Sequence, residues 1–486
     1  MDLYARPVKD DEYIGRVRRH RPSSLLPLIA AEGARFCENQ SWLKSPYKKL
    51  TPWALADIAR VSLASGNEYR KDATPRDVLE CAAAYSSLAE PELGKVPDAA
   101  AGFLLRLGSE QLGFQRSIAN ELGRSVALFD QTTPVRGLQV MHQGWAEELL
   151  GCTVSQYVGI GFILHTGAKL NGGRFSVDWL AKNPSAEPIT VEIPAGLMET
   201  VLEAHFVDSP AYFKQKDPIA LPSQLRRFTY NPLLAKPVVA SVVSDLLVPV
   251  PGQLIRKVSP LGIWYSGYEK WGKPFADDVG EFFEQYVGRL LNLVGGATVH
   301  PEIVYGGGSS RSVDWIVVCD KAVLLVEVKS VRPTEPVRLG SPAAWSELTK
   351  KLAHAFGQVE NTNQLIAGSD PSSRHIPAHL PRLGLIVTME PMPFANTGLV
   401  RSRFAPTTSI PTTVCPCDDL EWLVSLQGRT IDDYLLEFIN DPTKAGWDVA
   451  TDLVGTKFGR NAVLDRAWDS HSWLRSPDQP EHADAT

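Results

Sequence analysis

Residues 312–329, SVDWIVVCDKAVLLVEVK, contain two short apolar runs that are separated by Asp320 and Lys321. A two-residue polar link between apolar runs is typical of an antiparallel hairpin. The stretch therefore predicts two paired strands, at 312–319 and 322–329.

Three charged side chains interrupt these apolar runs. Glu327 and Lys329 stand two residues apart, so they project from the same face of the second strand. Asp314, in the first strand, can join them from the neighbouring position. A Glu and a Lys in so apolar a run are costly to bury without a partner. Taken alone, the pattern is also explained by a structural ion pair on a sheet face.

The sequence before and after the predicted hairpin contains further predicted strands and helices of the same domain. Residues 275–294 place large apolar side chains on one helical stripe, which predicts a helix before the strands. Together with the hairpin, the flanking segments give the order α-β-β-β-α-β, with a mixed sheet flanked by helices. The segments are a strand at 297–305, a long helix at 342–368, a strand at 382–389 and a strand followed by a helix at 411–427.

This order, with Asp314 followed by Glu-x-Lys at 327–329, resembles the PD-(D/E)XK nuclease superfamily. The resemblance covers about 275–427. It departs from the family pattern at Val313, where the family often has Pro before the aspartate. It implies a restriction-endonuclease-like core and a metal-dependent endonuclease that hydrolyses DNA phosphodiester bonds.

The resemblance also implies the roles of the site residues. Asp314, Glu327 and the carbonyl of Val328 would be ligands of Mg²⁺, for which Mn²⁺ substitutes. Mg²⁺ prefers oxygen ligands and keeps several waters, and it would neutralise charge on the scissile phosphate and acidify a bound water. Lys329 would orient that water and stabilise the developing charge.

Two accessory residues match the family pattern as well. Glu284, on the helix before the strands, corresponds to an acidic residue that completes the metal site. A solvated carboxylate is the alternative for Glu284, and Asp277, Asp278 and Glu281 compete for the same role. Gln358, in the long helix, resembles a glutamine that relatives direct toward the active centre.

The sequence pattern of the first 250 residues predicts mainly helices. Thr51-Pro52 and Thr74-Pro75 each place a capping residue before a Pro at the first helical position. Asp77 follows Thr74 at the spacing of a capping box. The sequence contains no enzyme signature in this half.

These patterns divide the chain into an α+β multidomain protein. We expect a mainly helical domain at 1–250, with a role in sensing, assembly or DNA contact, and a nuclease domain at 256–440. A polar C-terminal extension, partly disordered, is expected at 441–486. The Pro-rich passage 246–260 is expected to be an exposed hinge between the halves.

Charge and composition limit the partners. The net charge is −6, and 256–370 hold twelve basic and thirteen acidic side chains. The chain therefore lacks the bulk positive charge of a protein that coats nucleic acid. We expect a DNA substrate, and either self-association or a partner protein of a defence system to assist binding. Six Cys, the apolar runs and the N-terminal sequence favour a soluble, cytoplasmic protein without membrane contact.

Two other functions stay open. One is a nuclease-like binding module that recognises nucleic acid or protein without cleavage. The other is a nuclease that cleaves RNA. The expected setting is bacterial anti-phage defence or restriction, and it follows from the resemblance alone.

Overall fold

The strands and helices below belong to a computed structural model of the chain. It describes residues 6–36, 50–90, 99–111, 117–176, 187–217, 221, 223–392, 394–444, 446–453 and 456–471. Within them the protein is a mixed α+β structure with mixed sheets.

The strands form three sheets within the described residues. A five-stranded sheet has the order β11-β10-β9-β8-β5, a small sheet in the first half has the order β1-β4-β3-β2, and β6 pairs with β7. The strands are β1 Arg174–Phe175, β2 Val207–Asp208, β3 Val238–Val239, β4 Leu246–Leu247, β5 Thr298–Pro301, β6 Val304–Tyr305, β7 Ser310–Arg311, β8 Trp315–Val318, β9 Val323–Lys329, β10 Arg382–Thr388 and β11 Thr412–Pro416.

Helices make up most of the rest. The described α-helices are α1 Asp10–Val17, α2 Pro22–Phe36, α3 Pro52–Ser65, α4 Pro75–Ser86, α5 Ala99–Gln111, α6 Ile118–Phe129, α7 Trp145–Leu150, α8 Val154–Leu170, α9 Glu187–Glu192, α10 Ala195–Val201, α11 Pro210–Gln215, α12 Gly252–Val258, α13 Pro260–Trp271, α14 Lys273–Leu291, α15 Glu335–Arg338, α16 Pro342–Leu348, α17 His354–Ala367, α18 Gly398–Arg401, α19 Cys417–Leu423, α20 Ile431–Asn440, α21 Val449–Asp452 and α22 Ala462–Asp469.

The hairpin that the sequence predicts is present. β8 pairs antiparallel with β9, placing Trp315 opposite Val326, and β5 pairs antiparallel with β8. β9 pairs in parallel with β10, and β10 with β11. The sheet is therefore antiparallel on one side of β9 and parallel on the other. The predicted long helix is interrupted, because one turn of π-helix at Thr349–Ala353 separates α16 from α17.

The alternation along β9 assigns its two faces. Leu324 and Val326 belong to the apolar cluster that also contains the buried side chains of α14. Val323 and Leu325 belong to the cluster that contains the buried side chains of α17. Since residues two apart share a face, Glu327 projects from the face that α17 covers.

The helix starts in the first half follow from local capping. The side chain of Thr51 accepts a hydrogen bond from the N–H of Ala54 at the start of α3. Thr74 and Asp77 form the predicted capping box at the start of α4. Both predictions from the Thr-Pro pairs are confirmed.

The expectation of an exposed hinge at 246–260 is wrong. This passage forms β4 and α12, and Val248, Leu254 and Val258 are fully buried. They lie in one apolar cluster that also contains buried side chains of α6, α8, α14 and α20. Because the passage packs in a shared core, its prolines do not mark an exposed linker. The domain bounds themselves stay a prediction.

Buried charges cross the same boundary. The guanidinium of Arg124 in α6 is 2.8 Å from Glu121, 2.7 Å from Asp418 and 2.5 Å from Glu421. Tyr286 of α14 donates to Glu421 over 2.8 Å. This network joins the first half of the chain to α14 and α19.

The two halves also meet backbone to backbone. An added Cβ on Gly102 of α5 would lie 2.7 Å from the carbonyl oxygen of Gly340. An added Cβ on Gly340, which has a φ of +55°, would lie 2.2 Å from the carbonyl oxygen of Gly102. Arg106, one turn after Gly102, donates to the carbonyl of Leu339 over 3.3 Å. Only glycine allows this approach.

Two further described regions pack on this core. The stretch Trp145–Leu170 is apolar and long enough to cross a membrane, but its most apolar part is mainly buried inside the protein, as in a core helix of a soluble fold. In the C-terminal extension, Val463, Leu464 and Ala467 of α22 are buried and α22 packs on α6. Residues 472–486, where disorder is expected, lie outside the described residues.

Candidate functional site

Asp314 stands directly before β8 and is held from two sides. Its Oδ2 accepts the backbone N–H of Val328 over 2.7 Å, which ties it to β9. The N–H of the preceding Val313 donates to the hydroxyl of Thr362 in α17 over 2.9 Å. Strand and helix together therefore fix the carboxylate at this edge of the sheet.

Glu327 is 1% exposed, on the face that α17 covers. Its Oε1 accepts a hydrogen bond from the ammonium of Lys329, whose side chain remains 25% exposed. Its Oε2 has no hydrogen-bond partner among the described residues. Burial, and then the nearby charge of Asp314, raise the pKa of Glu327 to about 8.

The two carboxylates influence each other. Burial raises the pKa of Asp314, while Lys329 and the N–H of Val328 counteract that increase. Two buried carboxylates that interact resist being ionised together unless a cation lies nearby. The pair thus favours cation binding.

Glu284 of α14 is the third acidic group at this edge. Burial and then the charge of Asp314 raise its pKa to about 7. The helix is anchored at this point, because the indole of Trp315 donates to the carbonyl of Glu284 over 3.1 Å. An added Cβ on Gly288 would lie 2.3 Å from that same indole, so a small residue is needed there.

The competing carboxylates of α14 have other partners. Asp278 accepts the N–H groups of Val140 and Met141 over 2.7 and 2.9 Å. Glu281 accepts the N–H of Val135 over 2.9 Å. Asp277 lies at the surface and pairs with Lys273 one turn before it. These contacts engage the three competing carboxylates, and the nearby charge of Asp314 raises the pKa of Glu284.

Arg136 is a member of the site that sequence reasoning missed. Its guanidinium lies 3.6 Å from Glu281, 3.8 Å from Glu284 and 3.9 Å from Glu302, and its side chain is 58% exposed. It also lowers the pKa of Asp314. The loop that carries Arg136 is the one fastened by Asp278 and Glu281, so the first half of the chain contributes a cation to this edge.

Gln358 and Val328, the other predicted site residues, lie in α17 and β9. Gln358 is half-buried in α17, one turn before Thr362, and its carbonyl accepts the hydroxyl of Thr362 over 2.8 Å. The two share a helix face, so Gln358 is on the side of α17 that meets Val313. The backbone N–H of Val328 donates to the carboxylate of Asp314.

The donor set fits a hard divalent cation. Among the described residues, no group of three His, Cys, Asp or Glu side chains is gathered closely enough to hold a metal ion alone. Mg²⁺ does not need such a group, since it retains several waters and binds through one or two carboxylates. The buried and unpartnered Oε2 of Glu327, beside Asp314, supplies the oxygen chemistry that this ion prefers.

Comparison of the chain with family models, with curated proteins and with solved structures returned no match.

Proposed function

We propose that the protein is a metal-dependent DNA endonuclease with a restriction-endonuclease-like core. Its elements would be α14, the antiparallel strands β5, β8 and β9, then α17 and the parallel strand β10. The observation that carries the proposal is the buried pair of Asp314 and Glu327, with Lys329 bonded to Glu327.

The cofactor would be Mg²⁺, with Mn²⁺ as a substitute. Asp314, the free Oε2 of Glu327 and the carbonyl of Val328 would hold it, with Glu284 nearby. The ion would supply charge neutralisation at the phosphate and acidify a bound water. At neutral pH without a cation, a pKa of about 8 leaves Glu327 mainly protonated and a pKa of about 7 leaves Glu284 about half protonated, so proton release would accompany binding.

Lys329 performs the protein's own part of the reaction. Its ammonium is partly exposed yet held beside Glu327, so it can reach a phosphate oxygen while keeping its orientation. A donor fixed before the reaction stabilises developing negative charge without reorganisation. Gln358, on the facing helix, would assist in orienting the attacking water.

The first half of the chain would share in substrate binding. Arg136 brings a half-exposed guanidinium to the acidic edge, where it can contact a backbone phosphate. With little net positive charge near the site, self-association or a partner protein would add affinity. A cytoplasmic setting in bacterial defence or restriction is part of the same proposal.

Plasmid nicking tests the proposal. The purified chain is incubated with supercoiled DNA in Mg²⁺, Mn²⁺ or EDTA, and with RNA in parallel. We expect metal-dependent cleavage of DNA, lost in Asp314→Asn and retained in Asp320→Asn, a matched change at the exposed turn between β8 and β9.

Each alternative function has its own outcome in this assay. Cleavage of RNA alone would establish the RNA nuclease. Binding without cleavage in either metal would establish the binding module, and equal cleavage by both aspartate variants would remove Asp314 from the site.

A further inference from the structure

Two adjoining cavities lie between α12, α13 and the segment 223–234. Their volumes are about 120 Å³ and about 70 Å³, and Tyr230, Arg256 and Tyr265 line both. A cavity of about 150 Å³ holds a benzene-sized molecule. The larger cavity is somewhat smaller than this, so it can receive one six-membered ring at most, and the smaller one a compact group attached to it.

The larger cavity has aromatic walls and a polar atom that no protein group satisfies. Trp53, Tyr85, Phe228 and the two shared tyrosines surround it. Gln253 of α12 also lines it and is 1% exposed, and its Oε1 has no hydrogen-bond partner among the described residues. A planar ligand with an N–H donor on its edge would satisfy this oxygen while stacking on the rings.

The smaller cavity contains a buried cation. Lys257 is 8% exposed, and among the described residues no carboxylate lies within salt-bridge distance of its ammonium, although Glu269 lines the same cavity and its charge acts on Lys257. Its ammonium donates a 3.4 Å hydrogen bond to the hydroxyl of Ser266. A buried ammonium without a close counter-ion is unfavourable. Burial and then the charge of Lys236 lower the pKa of Lys257 to about 8, against the opposing charge of Glu269.

Helix α12 brings these groups together. Gln253, Arg256 and Lys257 are three and four residues apart, so they lie on one helix face. The same face thus presents an acceptor to the aromatic cavity and two cationic side chains to the smaller one. An anion held against Lys257 in the smaller cavity would be a closer counter-ion than Glu269.

We propose that these adjoining cavities form a binding site for a pyrimidine nucleoside monophosphate, with the base in the larger cavity and the phosphate beside Lys257 and Arg256. The ligand class combines the three required features, which are a planar ring, an edge donor and a compact anion.

The two cavities are connected to the part of the sheet that carries Asp314 and Glu327. Arg332, three residues after Lys329, places its guanidinium 2.9 Å from the ring centroid of Trp264 and 5.7 Å from that of Tyr265 in α13. Pro333 and Glu390, which follow β9 and β10, line the larger cavity. An influence of the ligand on cleavage rests on the proposed nuclease function, whereas the binding itself does not.

Calorimetry on the full chain in EDTA tests binding without any need for cleavage. The probes are AMP, GMP, CMP and UMP, their nucleosides and inorganic phosphate. We expect CMP or UMP to bind with a Kd below about 1 mM, at least tenfold more tightly than its nucleoside or phosphate and more tightly than AMP and GMP. Lys257→Met should weaken that binding at least tenfold, and Lys270→Met, on α13 but outside both cavities, should not.

Two further measurements keep the result interpretable. Lys257→Met removes a buried unpaired charge, so its unfolding midpoint should be at or above that of the wild type. Gln253→Leu should reduce the difference in affinity among the four monophosphates. No binding of any monophosphate, equal binding by Lys257→Met, or equal binding of inorganic phosphate would overturn the proposal. Tighter binding of a 5′-phosphorylated oligonucleotide would overturn the assignment to a free nucleotide.

Discussion

Glu327 makes the folded chain sensitive to pH. Its pKa is raised to about 8, so at neutral pH the folded chain retains a proton that the unfolded chain releases. Stability is therefore lost as the pH rises from the ordinary glutamate value through 8. The loss ends once Glu327 is ionised in both states.

Replacing Glu327 by Gln should remove this loss and abolish cleavage. In EDTA, we expect equal stability of variant and wild type near pH 4, and a more stable variant at pH 9 by on the order of a few kcal/mol. Urea denaturation at both pH values measures the difference. Glu437→Gln, a change at an exposed carboxylate, should show none. A Glu327→Gln variant that is less stable at pH 9 would contradict the assigned environment.

Lys329 should matter for turnover and not for metal affinity. Lys329→Met removes the donor, so cleavage should fall roughly 100-fold or more. The change also frees Oε1 of Glu327, so Mn²⁺ affinity measured by calorimetry should be unchanged or tighter. Lys321→Met, at the exposed end of the same hairpin, serves as the control. Loss of Mn²⁺ binding in Lys329→Met would make Lys329 a structural partner of the metal site.

How far the site follows from sequence differs from residue to residue. Asp314, Glu327 and Lys329 are separated by one hairpin, so strand alternation is enough to place them together. Arg136 is nearly 150 positions from Glu284, and its surrounding sequence carries no motif. Only the folded loop brings it there, because the hydrogen bonds that hold that loop join residues distant in sequence.

At the scale of elements, the 135–141 loop is an extension of α14. The carboxylates of Asp278 and Glu281 accept its N–H groups, so the loop moves with the helix that carries Glu284. A sequence reading treats these carboxylates as rivals of Glu284. In the structure, Asp278 and Glu281 instead hold the loop that places Arg136 beside Glu284.

Arg136→Met should weaken DNA binding with a recognisable dependence on salt. Loss of one phosphate contact reduces the slope of log K against log salt by about 0.9. Fluorescence anisotropy with a labelled duplex, in Ca²⁺ to prevent turnover, measures this slope. Arg76→Met removes an exposed arginine that is paired with Glu80, and should leave the slope unchanged. An unchanged slope in Arg136→Met would exclude a phosphate contact.

The elements themselves were predictable to different degrees. The hairpin at β8 and β9 and the helix starts at Thr51 and Thr74 depend on local turn and cap chemistry, and both predictions are confirmed. The prediction of an exposed hinge at 246–260 is wrong because it depends on proline content, and proline is typical of exposed linkers. Its apolar neighbours instead bury it in a core whose other members are far away in sequence.

For the whole molecule, the Arg124 network predicts that both halves unfold together. Arg124→Met would leave Glu121 and Glu421 buried without their cation, which should cost on the order of 3–5 kcal/mol. We expect a single transition in urea by tryptophan fluorescence and far-UV circular dichroism, with a lower midpoint for the variant. Arg460→Met, which removes an exposed charge, should leave the midpoint unchanged. Two separate transitions in the wild type would show that the halves are independent.

The contact of Gly102 with Gly340 restricts which sequences can occupy this fold. Each glycine fills the space that a side chain on the other would need, so a second substitution cannot compensate for the first. In a library of random single variants selected for folded protein, we expect both positions to be depleted of every other residue, with Gly137, which has open space around it, as a tolerant control. The interface between the two halves can therefore accept substitutions of its side chains during evolution, but the backbone contact of Gly102 with Gly340 leaves no space for a side chain at either position.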